Sequence, residues 1–100
     1  IKKIDAILCS NDELAIGIMN YLLDNGVNVP EDVSVMGFGN IREGQVVRPQ
    51  LTTVGEPFYD YGAVGMRTLI KTIKAEKRQA GLIELPFTIE KRESVKILEK

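Results

Sequence analysis

One hundred residues, 44% hydrophobic and 27% charged, describe one small globular domain or a piece of a larger one. A formal charge of −1 supplies no basic field for nucleic acid. One cysteine and no histidine exclude a disulfide framework and a Cys/His metal site. No apolar run approaches the roughly 18 residues of a membrane span, and no signal peptide is visible. The chain starts Ile1-Lys2-Lys3 without an initiator Met, directly before an apolar run, so a fragment of a cytoplasmic protein is expected.

Ile4 to Cys9 reads as a strand buried on both faces of a parallel sheet. Ser10 and Glu13 are spaced as a capping box opening a helix over Asp12 to Asn25. Leu14, Ile18, Tyr21 and Leu22 form its apolar stripe, widened by Ala15, Met19 and Leu23. Asn25-Gly26 is the expected stop, with Gly26 suited to the left-handed position after the helix. Val33 to Phe38 is apolar and β-branched, a second parallel strand. Strand, helix and strand make a βαβ unit and place the chain in the α/β class.

Gly39 to Gln50 reads as an irregular loop, and Leu51 to Val54 as a short extended segment. Pro57 suits a helix start, with Glu56 and Asp60 near its positive end. That helix is expected to run to about Lys77, with Phe58, Gly62, Gly65, Met66, Leu69 and Ile73 on one face. Gln79-Ala80-Gly81 ends it. Leu82 to Glu93 alternates in part, which favours a strand with one exposed face, and Val95 to Lys100 is expected to be loosely held.

Three places invite chemistry. Gly37-Phe38-Gly39 resembles the start of a dinucleotide fingerprint, but Arg42 stands at the third glycine position. Cys9 has no histidine to activate it, and a small buried hydrophobe is the simpler reading, so no catalyst and no cofactor are expected. Asn11 and Asp12 sit at the carboxyl edge of a strand, where ligands bind in open α/β sheets. They serve equally as helix caps or as donor and acceptors for a polyol. On the second helix, Asp60, Arg67, Lys71, Lys74 and Arg78 share an arc of about 60° at about 100° per residue. That stripe is either a solvated face or a docking surface for an acidic or phosphorylated partner.

Three blocks carry a resemblance: Asn11-Asp12-Glu13-Leu14-Ala15-Ile16-Gly17, Val29-Pro30-Glu31-Asp32-Val33-Ser34-Val35-Met36-Gly37-Phe38, and Arg48-Pro49-Gln50-Leu51-Thr52-Thr53-Val54. Glu84-Leu85-Pro86 and Lys91-Arg92-Glu93-Ser94 complete it. In order and spacing they resemble the LacI/GalR family of transcriptional regulators, over nearly the whole chain. Val47 to Leu51 and Tyr59 to Arg67 look closest to its catabolite-control branch.

The resemblance implies a periplasmic-binding-protein-like (type I) fold of two Rossmann-like lobes, each a parallel sheet with flanking helices. It implies a homodimer and operator binding through an N-terminal head outside this chain. Residues 1–55 and 82–94 would belong mainly to the C-terminal lobe, and the helix within 56–79 mainly to the N-terminal lobe. Asn11, Asp12, Asn40 and Phe58 would line the cleft for a small-molecule effector, a sugar or sugar phosphate. Ile16, Val46 and Val47 match dimer-interface positions. Tyr59, Asp60, Arg67 and Lys71 match positions that meet the serine-phosphorylated phosphocarrier protein HPr. One departure stands out: many sugar-responsive members have an acidic residue directly after the Gly-aromatic pair, where this chain has Gly39 and then Asn40. The lost charge-assisted hydrogen bond is worth roughly 1.5–3 kcal/mol. A periplasmic-type sugar-binding protein for transport shares the fold and is the alternative. Arg48 to Thr53 and the closing Arg92-Glu93-Ser94 favour the regulator.

Overall fold

The computed structural model describes residues 4–75 and 81–98. Seven elements follow in chain order: β1 (Ala6–Leu8), α1 (Asp12–Asp24), β2 (Ser34–Met36), α2 (Glu43–Val46), β3 (Thr53–Gly55), α3 (Phe58–Ala75) and β4 (Thr88–Glu90). The chain divides into two compact units, Ile1–Gly55 with Thr88–Lys100, and Glu56–Phe87.

In the first unit, β1 and β2 pair in parallel with Ile7 opposite Val35. This closes the expected βαβ unit around α1. The Gly37 N–H donates to the Thr52 carbonyl and Gly39 to that of Val54, so the chain past β2 runs beside the chain entering β3. The return strand β4 pairs antiparallel with β3, Val54 opposite Ile89.

Helix α1 covers one face of this sheet. Its buried apolar line is Ala15, Met19 and Leu22, and these join Cys9, Val29, Val33, Val35 and Leu51 in the core. Burying a side chain such as Met19 contributes about 1.5–3 kcal/mol. Two expectations change here. Leu14, Tyr21 and Leu23 fall outside the buried stripe, which follows Ala15, Met19 and Leu22 down one side of the helix. Strand β1 is not buried on both faces: Ile7 turns toward the core, while Leu8 is 72% exposed on the face that α1 does not cover.

The ends of α1 follow local chemistry. Asn11, in extended conformation, accepts the Leu14 N–H through Oδ1 at 2.7 Å. The cap is therefore Asn11 rather than Ser10, since only the residue before the first helical turn places its oxygen over these donors. At the other end Gly26 takes φ +78° and the Val27 N–H reaches back to the Leu22 carbonyl at 2.9 Å, as a glycine stop requires.

The chain is tied down as far as Lys96, within the stretch expected to be loosely held, while Ile97 and Leu98 beyond it are largely exposed. Ser94 is fully buried between β2 and the start of β3. Its hydroxyl donates to the Val35 carbonyl and accepts the Thr52 N–H, and its own carbonyl accepts the Val35 N–H. The Lys96 N–H then donates to Ser34 Oγ at 2.9 Å.

In the second unit, α3 begins after Pro57, as expected, and is described to Ala75; the expected end near Lys77 and the break at residues 79–80 lie outside the described residues. Segment 81–87 is not a strand. It lies instead along the Tyr61, Val64, Gly65 and Thr68 side of α3 through Gly81, Ile83 and Leu85. Only Thr88–Glu90 pairs as a strand, because β3 offers a partner only three residues long.

Candidate functional site

The polar corner forms where β1 passes into α1 and where β2 passes into the loop 37–42. Asp12 ties these turns together. Its Oδ1 accepts the Thr53 hydroxyl at 2.6 Å and its Oδ2 accepts the Ile41 N–H at 2.8 Å. The side chain is fully buried. Asp12 is thus a bracket that fixes the start of α1, the loop and β3, each of its oxygens accepting one hydrogen bond from them.

Gly37 makes room for that bracket. A Cβ there would run into Asp12 Oδ1 and would lie 3.0 Å from Leu51 Cδ2. The glycine thus serves close approach of a carboxylate, which replaces the dinucleotide reading of Gly37-Phe38-Gly39.

Asn11 and Asn40 remain at the surface of the corner. Asn11 is exposed and uses Oδ1 for the cap. Asn40 is half-buried and holds φ at 62°, in the left-handed region that asparagine tolerates better than most residues. Its N–H donates to Thr53 Oγ1 at 3.3 Å, and its Oδ1 accepts Arg92 Nη2 at 2.8 Å. Arg92 Nη1 also donates to the Leu51 carbonyl at 2.9 Å, and the Arg92 N–H to Thr52 Oγ1 at 2.8 Å.

Thr53, Arg92 and Ser94 are structural parts of this site that residue-by-residue reading missed. A polar pair, Thr52-Thr53, beside a buried Leu51 was the available signal. The partner of each lies about 40 residues away, which no local spacing reveals.

The other candidate residues fall in several places. Phe58 belongs to the second unit, where it is 58% exposed and packs edge-on against Tyr61 with ring centroids 5.9 Å apart. Tyr59, Asp60, Arg67 and Lys71 are all exposed on α3, with Lys74 continuing the stripe and Arg78 outside the described residues. Met66, Leu69 and Ile73, on the opposite apolar face, are each more than half exposed. Of the three interface positions, Val46 is 71% exposed, whereas Ile16 and Val47 are partly committed to the core.

Cys9 is buried, and burial pushes its thiol above the ordinary value, which opposes formation of a reactive thiolate. Among the described residues no group of three His, Cys, Asp or Glu side chains is placed to hold a metal ion. No described helix is long and apolar enough to cross a membrane.

A family model described as a periplasmic binding protein-like domain matches residues 2–95. The chain is 49% identical over 92 residues to catabolite control protein A of Staphylococcus aureus, covering 92% of this chain and 28% of that protein. It is 45% identical over 95 residues to the HTH-type transcriptional regulator RegA of Clostridium acetobutylicum, covering 95% of this chain and 28% of that protein. The chain thus spans 28% of the length of these curated relatives.

Among solved structures it is similar to a LacI family regulator from Enterococcus faecium with bound ribose, at a TM-score of 0.84 and 32% identity over 95% of this chain and 35% of that one. It is also similar to the regulator CcpA of Lactococcus lactis, at a TM-score of 0.82 and 33% identity over 92% of this chain and 34% of that one. With its parallel sheet, its flanking helix and a polar corner at the strands' carboxyl ends, the chain belongs to the periplasmic binding protein-like family, in the form found in LacI-type transcriptional regulators.

Proposed function

We propose that this chain is part of the effector-binding and dimerisation domain of a LacI-type regulator of carbon catabolism, acting in the cytoplasm. Its 49% identity to a catabolite control protein is the observation that carries this reading. The first unit is the C-terminal lobe, with its corner of Asn11 and Asn40 facing a small-molecule effector. Helix α3 belongs mainly to the N-terminal lobe and presents Tyr59, Asp60, Arg67 and Lys71 to serine-phosphorylated HPr. The exposure of all four residues supports that role, since an arginine fork matches phosphate oxygens only when it is free to reach them. The exposure of Val46 supports a homodimer contact at Ile16, Val46 and Val47.

The mechanism is allosteric control. Effector or phosphoprotein favours one angle between the lobes, and the angle sets whether the DNA-binding heads of a dimer engage an operator. Coupling of about 1–3 kcal/mol between the sites changes operator affinity roughly 5- to 150-fold. Calorimetric titration of the intact protein with serine-phosphorylated HPr, beside unphosphorylated HPr, tests the reading. Binding that depends on the phosphate supports it. Equal or absent binding of the two forms refutes the docking face and leaves only the effector corner.

A further inference from the structure

At the far end of α1, away from the polar corner, Asn25 is followed by Gly26, and both residues are exposed. Asn11, Asn20, Asn28 and Asn40 are followed instead by Asp12, Tyr21, Val29 and Ile41. An asparagine amide is open to attack by the backbone nitrogen of the next residue, which closes a five-membered ring. A side chain on that next residue crowds the attack. Glycine alone has none, and its backbone turns most freely.

In the fold the reacting atoms are tied elsewhere. Asn25 Nδ2 donates to the Tyr21 carbonyl at 2.8 Å, which turns the amide back along the helix. The Gly26 N–H donates to the Leu23 carbonyl at 3.2 Å, and the Val27 N–H beyond it to that of Leu22. Ring closure rotates the Asn25 backbone away from its ψ of 19° and breaks the first two of these bonds. They belong to an exposed last turn, the part of a helix that opens at least cost.

We propose that Asn25 is a modification site: the folded end of α1 restrains its spontaneous deamidation, and the modified residue cannot restore that end. The Gly26 nitrogen gives its proton to solvent and bonds to Asn25 Cγ. The Cγ–Nδ2 bond breaks, and Nδ2 takes up a proton and leaves as ammonia. Water then opens the cyclic imide at either carbonyl, leaving aspartate or isoaspartate at position 25. Either product puts a carboxylate where a donor stood, and a carboxylate cannot donate to the Tyr21 carbonyl. Its charge falls beside Asp24, at the negative end of a helix whose last turn holds no basic residue. Isoaspartate also adds a carbon to the main chain and carries Gly26 off the left-handed position that ends α1. The loosened turn holds Leu22, which is buried in the core.

The test incubates the intact protein that carries this chain in warm, mildly alkaline buffer, folded and in urea, and follows each asparagine by peptide mass mapping. In urea, Asn25 is expected to convert on the order of tenfold faster than Asn11, Asn20, Asn28 or Asn40. In the folded protein its conversion is expected to be on the order of tenfold slower than in urea, and still ahead of theirs. Asn25→Asp is expected to lower the urea midpoint. Asn25→Gln, which keeps an amide and adds no charge, is expected to lower it less and to abolish the mass gain there. If Asn25 converts no faster than the other asparagines in urea, the modification site is refuted. Equal rates in the folded and unfolded protein refute the restraint by the helix end. An Asn25→Asp midpoint no lower than that of Asn25→Gln refutes the lasting loosening of α1.

Discussion

Asp12 and Thr53, 41 positions apart in sequence, meet through a 2.6 Å hydrogen bond with neither side chain exposed. That bond, with the second one to the Ile41 N–H, holds the helix start, the loop after β2 and strand β3 in one register. Thr53→Val leaves one buried acceptor short of a partner and is expected to cost about 1–3 kcal/mol. Asp12→Ala is expected to cost at least as much. Because both changes remove the same bond, the double variant costs less than the sum. Urea midpoints of the intact protein measure all three.

Gly37 and Gly17 should respond oppositely to the same added methyl group. At Gly37 a Cβ collides with Asp12 Oδ1 and crowds Leu51, so Gly37→Ala is expected to destabilise by about 1–3 kcal/mol. At Gly17, inside α1, nothing lies within 4 Å. Gly17→Ala is expected to stabilise by roughly 0.5–1 kcal/mol through lower backbone entropy of the unfolded chain. Thermal or urea unfolding distinguishes the two signs.

Burial raises the Cys9 thiol above its ordinary value of 9.0. The folded chain then keeps a proton that the unfolded chain releases, so the stability this group contributes is full below pH 9.0 and is lost as pH rises through the raised folded value. Tyr61 acts with the same sign at higher pH, raised first by desolvation and then by its hydrogen bond to Glu56 and the charge there. Unfolding curves of wild type and Cys9→Ala across the alkaline range separate the two: the variant is expected to lose the earlier decline. The native thiol is also expected to react with a disulfide reagent much more slowly than the unfolded one.

Arg67→Glu reverses the charge at the centre of the exposed stripe on α3. A tenfold or greater loss of affinity for serine-phosphorylated HPr, about 1.4 kcal/mol or more, is expected, with the dimer unchanged. Calorimetry and sedimentation read the two properties separately. Unchanged affinity removes the stripe from the docking face.

Periodicity and turn chemistry made the βαβ unit legible: α1, Gly26 and the two parallel strands fall where the residues place them. What stayed hidden depends on partners distant in sequence. Ser10 and Asn11 are both good capping residues, and only the backbone at Asn11 decides between them. The alternation in residues 82–87 suggests a strand, yet a strand needs a neighbour, and this stretch lies against α3. Asp12 reads equally as a helix cap or a ligand contact because its two partners come from residues 41 and 53. Arg92 and Ser94 sit in a polar tail whose burial only the assembled sheet reveals.

In the proposed function, ligands of this domain control DNA binding at a distance. The most direct measurement is the affinity of the intact protein for an operator selected from its own genome, by fluorescence anisotropy, with and without serine-phosphorylated HPr. A change of roughly 5- to 150-fold is expected, which unphosphorylated HPr does not produce. Equal operator affinity in the presence of either form would contradict it.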